Sequence, residues 1–273
     1  MIHRHYFRSA FVPDRMIDIW VPPNYEQERE SDFPVIYVQD GQNIFYDQVA
    51  FGGVAWRIDQ AMLQIMSEGL QPAIIVGIWS HPTARWREYM PLHVFQWNDA
   101  AAKLPLFIEQ NGGPPYSDRY MAFLAEELRP WVNAHYRTRT SHGNAFLAGS
   151  SMGALIAHAT TCHYQHLFCG AACLSPHWSA LEGCVVDPII QVIPPPGYHW
   201  FYYDYGTCGL DAEYEPYQQR ADTFMRQAGF THGVHWMTQR FDGADHNEAA
   251  WQERIHIPLR FLLSKVKKST GLV

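Results

Sequence analysis

Residues 144–157, Asn-Ala-Phe-Leu-Ala-Gly-Ser-Ser-Met-Gly-Ala-Leu-Ile-Ala, lead from a short apolar run through Gly149-Ser150-Ser151-Met152-Gly153 into a helix-forming segment. A serine on a tight strand-to-helix turn needs glycine on both sides, because a Cβ at either place would crowd the neighbouring strand or helix. Such a turn lifts the Ser151 hydroxyl above the sheet edge and aims the free N–H groups of the helix start at the same spot. G-x-S-x-G also occurs in ordinary turns. Here the strand-like residues 145–148 and the helical residues 152–157 supply the context that the catalytic version demands. Neither G-x-G-x-x-G nor G-x-x-x-x-G-K-[ST] uses these glycines, so a nucleotide-phosphate loop is excluded.

A serine hydroxyl is a poor nucleophile at neutral pH and needs a base, an orienting acid and donors for an oxyanion. For this turn the chain order is serine, then acid, then histidine. His246 stands in the polar loop Phe241-Asp242-Gly243-Ala244-Asp245-His246-Asn247-Glu248, between a strand-like run at 235–241 and a helical run at 249–263. From there it can swing over the sheet edge, which makes it the candidate base among 15 histidines. The acid belongs just after the preceding strand, read at residues 199–203, where Asp204, Asp211 and Glu213 compete. Asp204 still belongs to the strand, whereas Asp211 lies past the Gly206-Thr207 turn and is the preferred acid; its alternative role is a helix N-cap. The backbone N–H of Met152 is one candidate oxyanion donor. The other is the N–H of Gln42, in the turn Gln39-Asp40-Gly41-Gln42-Asn43 after a buried strand at 34–38, with Gly41 admitting a substrate close to the backbone.

Tyr37-Val38-Gln39-Asp40-Gly41-Gln42-Asn43, the run from Arg85 to Pro91, Gly149-Ser150-Ser151-Met152-Gly153 and Leu174-Ser175-Pro176 together resemble the putative esterase family. That family includes enterochelin esterases, carbohydrate-acetyl and feruloyl esterases, and mycolyltransferases. The resemblance runs from about Arg15 to Leu263 and implies an α/β-hydrolase fold with ester bonds as substrate; it does not select the ester. Cys208 departs from the polar or acidic residue expected at that place in relatives, which leaves the acid less well marked than Ser151 and His246.

A chain of 273 residues, 47% of them hydrophobic, can bury one large core, and a single α/β domain over 1–273 is expected. The formal net charge of −7 argues against nucleic acid or an anionic membrane as partner. The one basic run, Lys265-Val266-Lys267-Lys268, reads as a solvated helix end. Five cysteines, odd in number and without a C-x-x-C pair, fit free thiols rather than disulfides or zinc. His163 and His166 could share a helix face, but no carboxylate stands in register with them, so no metal and no organic cofactor is expected. The first residues contain no apolar signal core, and no stretch reaches the roughly 18 apolar residues of a membrane span, so a cytoplasmic location is the default.

After two early strands, the clearer at 16–21, strand-like and helix-like segments alternate, which predicts a mostly parallel sheet with helices on both faces. Met121, Leu124, Leu128, Trp131 and Val132 predict a helix over about 118–136, capped by Ser117 and kinked near Pro130. Two long proline-rich connections, 79–116 and the stretch after Ser175, carry aromatics such as Trp86, Trp97 and Trp178 and are expected to wall an acyl or aryl pocket. Asp40 and Trp178 are the candidate substrate contacts; Arg85 and Glu88 are expected to form an ion pair beneath the site. The leading expectation is a serine carboxylesterase acting on a small-molecule ester. An acyltransferase with the same residues, or a non-catalytic binding module on the same scaffold, is the alternative.

Overall fold

The computed structural model describes residues 1–266. Eight strands form one sheet: β1 Ile2–Phe7, β2 Arg15–Trp20, β3 Val35–Gln39, β4 Ile74–Ile78, β5 Ala145–Ser150, β6 Gly170–Leu174, β7 Trp200–Gly206 and β8 Trp236–Phe241, in the order β1-β2-β4-β3-β5-β6-β7-β8. The pairs β1/β2 and β2/β4 are antiparallel, and every later pair is parallel. This is the α/β-hydrolase arrangement that the sequence predicted.

The central strands are apolar on both sides, as a doubly covered sheet requires. Alternation along β3 sends Val35 and Tyr37 to one core and Ile36 and Val38 to the other. The first core is closed by the Met152–His163 and Tyr214–Gln227 helices and the helical segment from Ser117 to His135. The second is closed by Ile58–Ser67, Glu248–Arg254 and His256–Leu263. The parallel strands all end at one edge, and their following loops gather there; that edge is where open α/β sheets place ligands.

Some local expectations change. Ser117 is not a cap: its Oγ accepts the Leu92 N–H at 2.7 Å, tying the preceding loop down, while Tyr116 occupies the N-cap position. Near Pro130, where the sequence predicts a kink, the helix is irregular. It takes π form over Phe123–Leu128 and resumes as α over Arg129–His135, so the turn before the proline accommodates its missing N–H. The long 79–116 connection folds into short helical pieces, among them Arg85–Tyr89, Leu92–Gln96 and Leu104–Asn111. All five cysteines are free thiols. Among the described residues no helix is long and apolar enough to cross a membrane. Of the basic run near the C-terminus, Lys265 lies against the Phe261 ring, and Lys267 and Lys268 lie outside the described residues.

Candidate active site

Ser151 stands between β5 and the Met152–His163 helix with φ 55° and ψ −124°, a conformation that side-chain-bearing residues avoid. The turn is held because the chain folds back on itself. A Cβ on Gly149 would lie 2.5 Å from the backbone carbonyl of Gly153, and one on Gly153 would lie 3.1 Å from the Gln39 side chain. The Ser151 N–H is tied to Leu174 O at 3.0 Å and the His177 N–H to Ser151 O at 3.2 Å, so β6 and its loop clamp the turn from the far side.

Ser151 and His246 line one cavity of about 380 Å³, together with Asp40, Gln42, Asn43, Arg85, Glu248 and Trp251. No hydrogen bond joins Ser151 Oγ to the imidazole among the described residues. His246 Nδ1 meets Asp211 Oδ1 at 2.6 Å, with the Asp211 side chain wholly buried. The loop holding His246 is anchored directly downstream, where Asn247 caps the next helix by accepting the Ala250 N–H at 3.0 Å.

Asp211 lies in a 3-10 turn, Gly209–Glu213, rather than at the cap of the following helix, where Glu213 stands. Burial opposes its ionisation, but hydrogen bonds from His246, Ser175 and the Gly206 N–H outweigh that cost and hold its pKa below the usual carboxylate range. The Ser175 hydroxyl donates to Asp211 Oδ2 at 2.6 Å and the Gly206 N–H does so at 2.7 Å. Asp204, in β7, instead accepts from Arg254 Nη2 and from the Ser175 N–H, each at 3.0 Å; its burial pushes its pKa up. Glu213 is exposed. Thus Ser151, His246 and Asp211 come together at the sheet edge, while Asp204 neutralises a buried arginine.

Gln42 opens no hydrogen bond to the cavity through its side chain, which is doubly tied to Ser80: Nε2 donates to Ser80 Oγ at 2.8 Å and Oε1 accepts the Ser80 N–H at 3.0 Å. The backbone N–H groups of Gln42 and Met152 have no acceptor among the described residues. Gly41 proves necessary for a different reason from the one expected. Its Cβ would lie 2.3 Å from the Gly77 backbone, so the glycine admits strand β4 rather than a substrate.

Three further expectations are corrected. Trp178 does not line the cavity: it is 1% exposed in the main core, where its Nε1 donates to Gln218 Oε1 at 2.8 Å. Arg85 and Glu88 do not pair. Arg85 binds both oxygens of Asp40 at 2.7 and 2.8 Å, and the wholly buried Glu88 pairs with Arg15 at 2.6 Å. Asp40 does face the cavity, but both its oxygens are occupied by Arg85. The aromatic loops contribute little wall: from 79–116 only Ser80, His81, Pro82 and Arg85 line this cavity, and Trp97 faces a separate one beside Tyr217.

Sequence reading gave no role to Ser175, Trp251, Arg254, His177 or Glu248. Ser175 was visible only within Leu174-Ser175-Pro176; its φ of 40° and its place after β6 give it meaning. His177 hydrogen-bonds the Tyr214 hydroxyl through Nδ1 at 2.7 Å, and burial, followed by nearby His246 and Arg85, lowers its pKa to about 4.

A doubly wound sheet with a strained serine at its edge defines an α/β-hydrolase, and comparison with known proteins gives its family. Residues 9–262 match the family described as Putative esterase, and the chain belongs to that family. Over 155 residues it is 25% identical to the uncharacterized protein YbbA of Bacillus subtilis (strain 168), a match spanning 57% of this chain and only 54%, about half, of that relative. Among solved structures, a ferulic acid esterase superposes with a TM-score of 0.67 at 18% identity, covering 97% of this chain and 98% of that one. An IroE-like serine hydrolase from Shewanella oneidensis superposes with a TM-score of 0.64 at 21% identity, covering 96% and 79%.

Proposed function

We propose that the protein is a serine carboxylesterase in which Ser151 attacks an ester carbonyl and His246 takes the serine proton. Asp211 keeps the imidazole in the tautomer whose Nε2 is free to accept, and stabilises the imidazolium that forms. The N–H groups of Met152 and Gln42 are the donors for the oxyanion. His246 then hands its proton to the departing alcohol, and water repeats the cycle on the acyl-serine. The observation that carries this reading is the conjunction of a left-handed, strained Ser151 with a histidine in the same cavity whose other nitrogen is held by a buried carboxylate at 2.6 Å. The names of the structural neighbours, a ferulic acid esterase and a serine hydrolase, agree with it. Every group required lies on this chain.

The test is labelling with a fluorophosphonate together with turnover of short aryl esters. Wild-type protein is expected to be labelled at Ser151 and to release the alcohol. Ser151→Ala should lose both, with kcat down by about 10⁶, while Ser150→Ala keeps them. Labelling at another residue, or turnover by Ser151→Ala, would overturn the assignment. Adding an acceptor alcohol and analysing products separates hydrolysis from acyl transfer.

A further inference from the structure

Glu248 begins the helix that follows His246 and lines the same cavity as Ser151. The residue is only 8% exposed. Its Oε1 accepts from Asn43 Nδ2 at 3.2 Å, and its own backbone N–H also reaches the carboxylate. No further donor bonds it among the described residues. A carboxylate so deeply placed ordinarily collects more partners, because each unused oxygen lone pair forfeits hydration. Here the spare acceptor capacity faces the space where a substrate would sit.

We infer that Glu248 is the specificity-determining acceptor for a hydroxyl group carried by the leaving alcohol of the substrate. The inference rests on the proposed ester cleavage, and the chemistry of that step sets which half of the ester Glu248 meets. His246 must deliver its proton to the departing oxygen, so the alcohol stands on the histidine side of the cavity. Glu248 is two residues from His246 on that side. A hydroxyl donates to the carboxylate without adding charge.

A purely structural role, tethering Asn43, would affect all esters alike, so a ratio between two substrates is the useful readout. Propyl butyrate and 2,3-dihydroxypropyl butyrate share the acyl group and the scissile bond and differ by two hydroxyls. Wild-type kcat/KM is expected to favour the dihydroxypropyl ester by about tenfold, the scale of one hydrogen bond to a charged acceptor. Glu248→Ala should bring the ratio to about one, and Glu248→Gln, which keeps an acceptor oxygen, should retain part of it. A wild-type ratio near one, a preference that survives Glu248→Ala, or no turnover of the dihydroxypropyl ester by unlabelled enzyme from a preparation whose Ser151 does react with fluorophosphonate overturns the inference alone. Failure of Ser151 to label brings down the esterase reading itself.

Discussion

Ser175 Oγ lies 2.6 Å from Asp211 Oδ2, and its proton has only that direction to go. A hydroxyl has one proton and two lone pairs. Both lone pairs are taken by donors, Trp251 Nε1 at 3.1 Å and Arg254 Nη2 at 2.8 Å. The hydroxyl is therefore a dedicated donor that leaves Asp211 Oδ1 to His246. Removing it by Ser175→Ala should lower kcat by about tenfold, the worth of one donor to a charged group, with KM nearly unchanged because substrate does not touch it. Steady-state kinetics giving a kcat within twofold of wild type would show that Asp211 is oriented without Ser175.

The two buried aspartates should separate cleanly by variant. Asp211→Asn can present its amide N–H to His246 and stabilise the wrong tautomer, so kcat should fall by roughly 10⁴ in a protein that still folds. Asp204→Asn removes the nearer charge partner of buried Arg254 and leaves only Asp211, 4.0 Å away, and should destabilise by about 3 kcal/mol while the folded fraction keeps most of its turnover. Urea melts run beside activity assays distinguish the two patterns, and equal activity losses would mean that Asp204 shares the acid's role.

Gly149→Ala tests the turn itself. The added methyl would stand 2.5 Å from the Gly153 carbonyl carbon and oxygen, both backbone atoms that cannot rotate aside. The expected cost is about 1–3 kcal/mol of stability, with slower fluorophosphonate labelling because Ser151 is displaced. Unchanged melting and labelling would show that the turn has more slack than its geometry implies.

Acid should weaken the fold through a histidine remote from the chemistry. His158 is fully buried between the Tyr203 hydroxyl at 3.0 Å and Cys162 Sγ at 3.4 Å, and burial lowers its pKa to about 3. The unfolded chain titrates this group near its ordinary value, about 6.5. Between those values the unfolded state binds the extra proton, so stability falls as pH drops from about 6.5 toward 3, by about 1.4 kcal/mol per unit. His158→Gln should flatten the pH dependence of stability by that slope. Urea midpoints at pH 6.5, 5.5 and 4.5 give the comparison, and parallel curves for the two proteins would refute it.

The sequence alone was enough for the fold class and for the three residues that meet at the sheet edge. Gly149-Ser150-Ser151-Met152-Gly153 is a local steric statement, and the apolar runs on either side dictate a buried strand and a buried helix whatever surrounds them. The position of His246 after the last strand and of Asp211 past the preceding turn follows from chain order, which the parallel topology preserves. Partnerships between side chains from distant elements were not legible. Arg85 and Glu88, neighbours on one helical turn, diverge to Asp40 and Arg15, partners supplied by strands β2 and β3 and their loops that meet the helix only in the folded chain. Trp178 looked like a pocket wall, yet packing drew it into the core. Asp211, Trp251 and Arg254 converge on Ser175 only after β6 and the last helices are docked, since their hydrogen bonds span 36, 76 and 79 positions of chain. Local sterics and hydrophobic pattern are written residue by residue; which polar groups share a buried space is decided when the elements pack.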